Sequence, residues 1–114
     1  MRTHQEIDDR SLALARAIVA RIDADPLRSG LTRARRTCAR WTQDPAIRSE
    51  YIDRWCAILD RDWPAIRAVL LDTSADGVAL RQCSPFAGVL PPTERWRIYR
   101  EHGARALDPE SSPP

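Results

Sequence analysis

The sequence predicts an all-α protein, a compact bundle of about five or six helices with an extended, proline-bracketed segment before the last one. Three observations predict it. Apolar residues recur at offsets of three and four in successive segments, which is the spacing of one helix face. Cap residues and first-turn prolines such as Asp44-Pro45 and Asp62-Trp63-Pro64 punctuate those segments. No stretch of any length alternates polar and apolar residues as a half-buried strand does.

In chain order, Asp8, Asp9 and Ser11 are the cap candidates for a first helix that places Leu12, Ala15, Val19 and Ile22 on one side. Asp25-Pro26 and Ser29-Gly30 close it. Leu31, Ala34, Cys38 and Trp41 repeat the spacing and predict a second amphipathic helix over about residues 27–42. Asp44 and Pro45 supply a cap and first-turn proline for a third. Its stripe of Ile47, Tyr51, Trp55 and Ile58, widened by Ile52 and Leu59, is the longest apolar face in the chain. Asp62 caps a short fourth helix carrying Ile66, Val69 and Leu70, and Ser74 caps a fifth through Cys83, weakened by Gly77 in its first turn. Thr93 caps the last, which bears Trp96 and Tyr99 and ends at Gly103. Residues 1–103 are thus read as a single helical domain and residues 104–114 as a flexible C-terminal tail.

Composition limits what such a domain does. With 43% apolar and 30% charged residues the chain falls among globular proteins, and 114 residues suffice for one core without metal or disulfide staples. The net charge of +2 excludes the overall basic field of a general nucleic-acid binder, so the distribution of charge carries the information. Residues 26–43 contain Arg28, Arg33, Arg35, Arg36 and Arg40 and no acid, a local charge of +5, whereas residues 44–63 come to −2. Arg33, Arg36 and Arg40 share a helix face able to lie along phosphates or an acidic partner surface. The plainer reading is a solvated face partly neutralised by the acidic third helix.

Cys38, Cys56 and Cys83 form no Cys-x-x-Cys pair and are odd in number, so buried, reduced thiols of a cytoplasmic protein are expected. No signal-type apolar core follows the polar N-terminus, and no run approaches membrane-spanning length. His4 and His102 lie near the ends of the helical region, without a Cys or Asp at triad or metal spacing. Asp8-Asp9 and Asp60-Arg61-Asp62 read as cap and dipole partners. No catalytic residue, metal site or cofactor is therefore predicted. Trp41 and Trp55, on apolar stripes, are expected in the core rather than stacked on bases.

The segment left over is the run from Leu80 to Tyr99, which contains the only Phe and three of the nine prolines. Pro85, Pro91 and Pro92 keep the residues before them out of the helix, so Phe86, Val89 and Leu90 must pack elsewhere. One reading makes them a plug for the domain's own core. The other makes residues 84–90 an arm, with Phe86 and Leu90 as anchors, Gly88 admitting a partner's backbone, and Arg95 and Trp96 beside them, residue types that binding hot spots use.

Leu80-Arg81-Gln82, then Ser84-Pro85-Phe86-Ala87-Gly88-Val89-Leu90, then Glu94-Arg95-Trp96-Arg97-Ile98-Tyr99-Arg100-Glu101 resembles the C-terminal signature of a family of short bacterial antitoxin-like proteins encoded beside a toxin gene. The likeness extends upstream through Leu14-Ala15-Arg16-Ala17, Ala39-Arg40-Trp41, Trp55 and Leu59-Asp60, and so spans about residues 12–101. Cys83 stands where the family has a small residue of no fixed type. The resemblance implies a non-enzymatic protein that binds its cognate toxin, encoded nearby, and occludes the toxin's active site. Ser84, Pro85, Phe86, Gly88, Val89, Leu90, Arg95 and Trp96 would then fill a groove on the toxin, with Arg35 and Arg36 meeting acidic groups there. The alternative is a nucleic-acid-binding helical module, a transcriptional autoregulator or a small ribonucleoprotein subunit, contacting DNA or RNA through Arg28, Arg33, Arg35, Arg36 and Arg40. A homo-oligomer is compatible with either, and no membrane partner is expected.

Overall fold

Six α-helices follow one another in the computed structural model, which describes residues 4–103. They are α1 (His4–Asp23), α2 (Ser29–Thr42), α3 (Glu50–Leu59), α4 (Trp63–Leu70), α5 (Ala75–Gln82) and α6 (Pro92–Ile98). A 3₁₀ turn (Ala87–Val89) precedes α6 and a π-helical turn (Tyr99–Gly103) follows it. The architecture is all-α, as the spacing predicted, with no strand among the described residues. The predicted tail lies outside those residues.

Cap chemistry sets three of the six helix starts. The side chains of Ser49, Asp62 and Ser74 accept the backbone N–H groups of Ile52, Ala65 and Gly77 and so begin α3, α4 and α5; each such cap contributes about 1 kcal/mol. Three starts differ from expectation. α1 begins at His4, because nothing before Asp8 breaks a helix and Gln5 Nε2 donates to Asp9 Oδ1 at 2.8 Å within its first turns. Asp44 caps only a tight turn, accepting the Ala46 N–H at 2.9 Å, and Ser49 takes over as the cap of α3. The buried face of α3 is therefore Ile52, Trp55, Ile58 and Leu59, while Ile47 and Tyr51 are exposed. α6 begins one residue before Thr93, at Pro92, whose missing N–H costs nothing in a first turn.

Every helix contributes to one core, built around Ile18, Val19 and Ile22 of α1, Ala34 and Cys38 of α2, Trp55, Ile66, Leu70, Leu80 and Ile98. Trp55 is 0% exposed and donates its indole N–H to the Leu80 carbonyl at 2.8 Å. Phe86, likewise 0% exposed, meets Trp55 edge to face with centroids 5.8 Å apart. The arm reading is thereby corrected: Pro85, Phe86 and Leu90 are buried, and Val89 packs half-buried against the same core. Nor is the segment extended. The Phe86 N–H donates to Ser84 Oγ at 3.1 Å and the Val89 N–H to the Phe86 carbonyl at 3.0 Å, so the prolines bracket a coiled plug. The physical reason is the full burial of two large apolar side chains, Phe86 and Leu90, each contributing roughly 1.5–3 kcal/mol on leaving water.

Arg81 is 9% exposed and ties three elements together. Its Nε donates to Ser11 Oγ at 2.9 Å and its Nη1 to the carbonyls of Leu70 and Asp72. Burial pulls its pKa below the usual arginine value, against the opposing pull of Asp72 and Asp8. Gly77 has a packing role that its poor helix propensity conceals. A Cβ there would collide with the Asp72 backbone oxygen and lie 2.7 Å from the Asp72 Cβ. Gly77→Ala is therefore expected to cost about 1–3 kcal/mol from overpacking, although propensity alone would gain up to ~1 kcal/mol. A urea titration decides the sign; a higher midpoint for the variant would remove the packing account.

Candidate functional site: an arginine-lined groove

Three arginines at positions 33, 36 and 40 follow helical spacing along α2, and the fold sets them beside a second wall. The end of α1 and the Ala87–Val89 turn complete a groove of about 1220 Å³, lined by Arg21, Arg33, Arg36, Arg40, Trp41, Gly88 and Val89 among others. Arg33 lies against Gly88, its Nε 3.5 Å from where a Cβ would stand. Arg21 pairs with Glu94 at 3.3 Å. Asp25, the acid in the lining, is occupied within its own turn: it accepts the N–H groups of Leu27 and Ser29 and the Ser29 hydroxyl, bonds that hold its carboxyl below the usual range, the Ser29 hydroxyl foremost. That turn also carries Arg28, whose φ of 48° is the one positive value at a non-glycine residue among the described residues. Its guanidinium donates to the Ile22 carbonyl at 3.1 Å and covers the Trp63 ring, which fixes the entry into α2.

Among the described residues Arg33, Arg36 and Arg40 make no ion pair. The expected neutralisation by acidic α3 is not made there; Asp53 pairs with Arg48 instead, and α3's Arg54 pairs with Asp76. Arg35 and Arg36, expected to act together, are separated. Arg35 donates through Nε to the Leu59 carbonyl at 2.9 Å and latches α2 to the end of α3, whereas Arg36 lines the groove.

The other predicted positions divide among four places. Pro85 and Phe86 belong to the core, and Gly88 and Val89 to the groove wall. Ser84, Leu90 and Arg95 line a second, smaller cavity against α1. Trp96, 64% exposed, stands edge-on to Tyr99 with centroids 6.1 Å apart, and the Arg10 guanidinium lies 5.0 Å from the Tyr99 ring centre. Trp41 both packs on the core and lines the groove. Sequence reasoning missed Arg21, whose place in the last turn of α1 was the available signal.

The thiols are also brought together in a way their spacing did not reveal. Cys38 Sγ and Cys56 Sγ are 2.7 Å apart across the α2–α3 contact. Burial first, then the hydrogen bond with Cys56, pushes the Cys38 thiol up to about 12. Half-exposed Cys56 is the point of entry for an oxidant. Treatment of the native protein with a diazenedicarboxamide, which is reduced to the hydrazine as two thiols lose their hydrogens, is expected to give one disulfide, Cys38–Cys56, with Cys83 still alkylatable by peptide mapping. A product containing Cys83 would contradict this pairing.

Among the described residues no three His, Cys, Asp or Glu side chains gather where they could hold a metal ion, and no helix is long and apolar enough to cross a membrane. Compared with known proteins, the chain matches no family model, no curated protein and no solved structure.

Proposed function

We propose that this chain is a non-catalytic binding module whose working surface is the α2 groove, and that the occupant is nucleic acid. One observation carries the reading: three arginines on one helix face, free of acidic partners among the described residues, line a groove with Trp41 in its wall. Residues 33 and 40 are seven apart, about 10 Å along a helix axis, comparable with the axial rise of roughly three base steps of a duplex at 3.4 Å each. A half-buried indole beside such a stripe offers a stacking face to an unpaired base. Fluorescence polarisation with labelled single-stranded and duplex oligonucleotides tests it. A slope of log affinity against log salt of about −2 to −3, as three arginine contacts imply, is expected; salt-independent or absent binding removes the proposal.

A second reading is supported by Trp96. An exposed Trp, its Tyr99 neighbour and Arg10 are the residue types that dominate protein interfaces, and the signature that resembles antitoxin-like proteins runs through the first two. On this reading the chain neutralises a toxin encoded beside it, and docks through the α6 face rather than through Phe86. Co-expression with the neighbouring gene product separates the two: Trp96→Ala should abolish copurification and leave oligonucleotide binding within about twofold, since it lies outside the groove lining.

A further inference from the structure

The second cavity combines an apolar lining with an unmet donor. About 270 Å³ lies between α1, the end of α5, residues 84–90 and α6. Ile7, Leu14, Ile18, Leu70 and Leu90 supply its apolar walls. Arg95 also lines it, and Arg95 Nε is the fully buried side-chain polar atom without a hydrogen-bond partner among the described residues. An unpaired buried donor costs about 1–3 kcal/mol, more when charged. Nε is sealed from the cavity, but no side-chain nitrogen of Arg95 makes a hydrogen bond or ion pair among the described residues, so the guanidinium as a whole is short of an acceptor. No Asp or Glu lines the cavity, while Arg10 and Arg81 do. Arg81 is held by Ser11 and two carbonyls, whereas the Arg10 guanidinium over the Tyr99 ring keeps its N–H groups free among the described residues, so Arg95, with Arg10 beside it in the lining, is a donor a ligand would meet. The Ser84 hydroxyl, whose oxygen already accepts the Phe86 N–H, keeps its own hydrogen to donate.

We propose that this cavity is a binding site for a small organic monocarboxylate with an apolar body, its carboxylate on Arg95 and its hydrocarbon part against Leu14, Ile18 and Leu90. Positive charge with no competing acid selects an anionic head, and a guanidinium–carboxylate hydrogen bond is about twice as strong as a neutral one. The volume lies just below the usual ligand-pocket range of about 300–1,000 Å³, which restricts the ligand to a short aliphatic chain or a single ring. The site is separate from the α2 groove and does not depend on the function proposed for it.

Isothermal titration calorimetry of the full chain with hexanoate and benzoate, each against its amide, tests the assignment. Saturable binding of at least one acid, at least about tenfold tighter than its amide, is expected, with the melting temperature rising as that acid is added. Arg95→Gln should bring acid and amide within about twofold of each other. Leu14→Phe, which fills the cavity from α1 and leaves Arg95 in place, should abolish binding while the far-ultraviolet circular dichroism stays helical. Equal affinity for acid and amide, no binding of either acid, or unchanged acid binding in folded Arg95→Gln or Leu14→Phe protein would overturn it.

Discussion

Phe86→Ala is expected to lower the unfolding free energy by about 3–5 kcal/mol, the range for a large aromatic removed from a packed core. The ring is 0% exposed and meets Trp55 edge to face, so the variant loses transferred apolar area, leaves a cavity and forfeits an aromatic pair of about 0.5–1.5 kcal/mol. Relaxation will not refill the space, because Trp55 is held by its indole bond to Leu80 and the prolines at 85 and 91 restrict the backbone on either side. For a domain whose total stability lies within about 5–15 kcal/mol, such a loss is enough to populate the unfolded chain at 37 °C. Urea unfolding monitored by tryptophan fluorescence measures it. Phe86→Leu, which keeps most of the volume, should cost less than half as much. Had the side chain been an exposed anchor, its truncation would fall within about 0.5 kcal/mol of wild type, so a small effect would place the ring outside the core.

That contrast marks where the sequence was legible. Helices were readable because each must hide one face, and the spacing of Leu31, Ala34 and Cys38, or of Ile66 and Leu70, records which face it is. Starts were harder. Asp44-Pro45 and Ser49 both satisfy cap chemistry, and only the packing of Trp55 and Ile58, which leaves Ile47 outside, selects Ser49. The proline-fenced segment was readable as non-helical, but local sequence gives a turn no direction. Whether Phe86 points inward is decided by Trp55 and Leu80, the first of them thirty-one positions away. The site followed the same rule. The stripe of Arg33, Arg36 and Arg40 was visible from spacing, whereas the opposing wall from Arg21 and Gly88, the Cys38–Cys56 contact and the unmet Nε of Arg95 are products of tertiary packing.

Arg33→Glu/Arg36→Glu/Arg40→Glu is expected to weaken oligonucleotide binding by at least about a hundredfold near 0.1 M salt. Three exposed charge contacts at ~1 kcal/mol each account for that factor through their loss alone, and the glutamates add repulsion. The salt slope should fall toward zero, since roughly 0.9 counterion is released per phosphate neutralised on a duplex. None of the three side chains makes an ion pair among the described residues, so folding should be spared and the circular dichroism unchanged. Reversal also takes the chain from a net charge of +2 to −4, a change that would repel nucleic acid wherever it were made. Arg16→Glu/Arg61→Glu/Arg100→Glu is the matched control: the same net charge, on three exposed arginines outside the groove lining. Long-range repulsion is screened within about 10 Å at 0.1 M salt, so the control should lose no more than about tenfold and keep most of its salt slope. If both triple variants bind equally poorly, the interaction reports bulk charge and the groove has no special standing. A control that binds as the wild type does, beside an α2 variant that does not bind, assigns the contact to Arg33, Arg36 and Arg40.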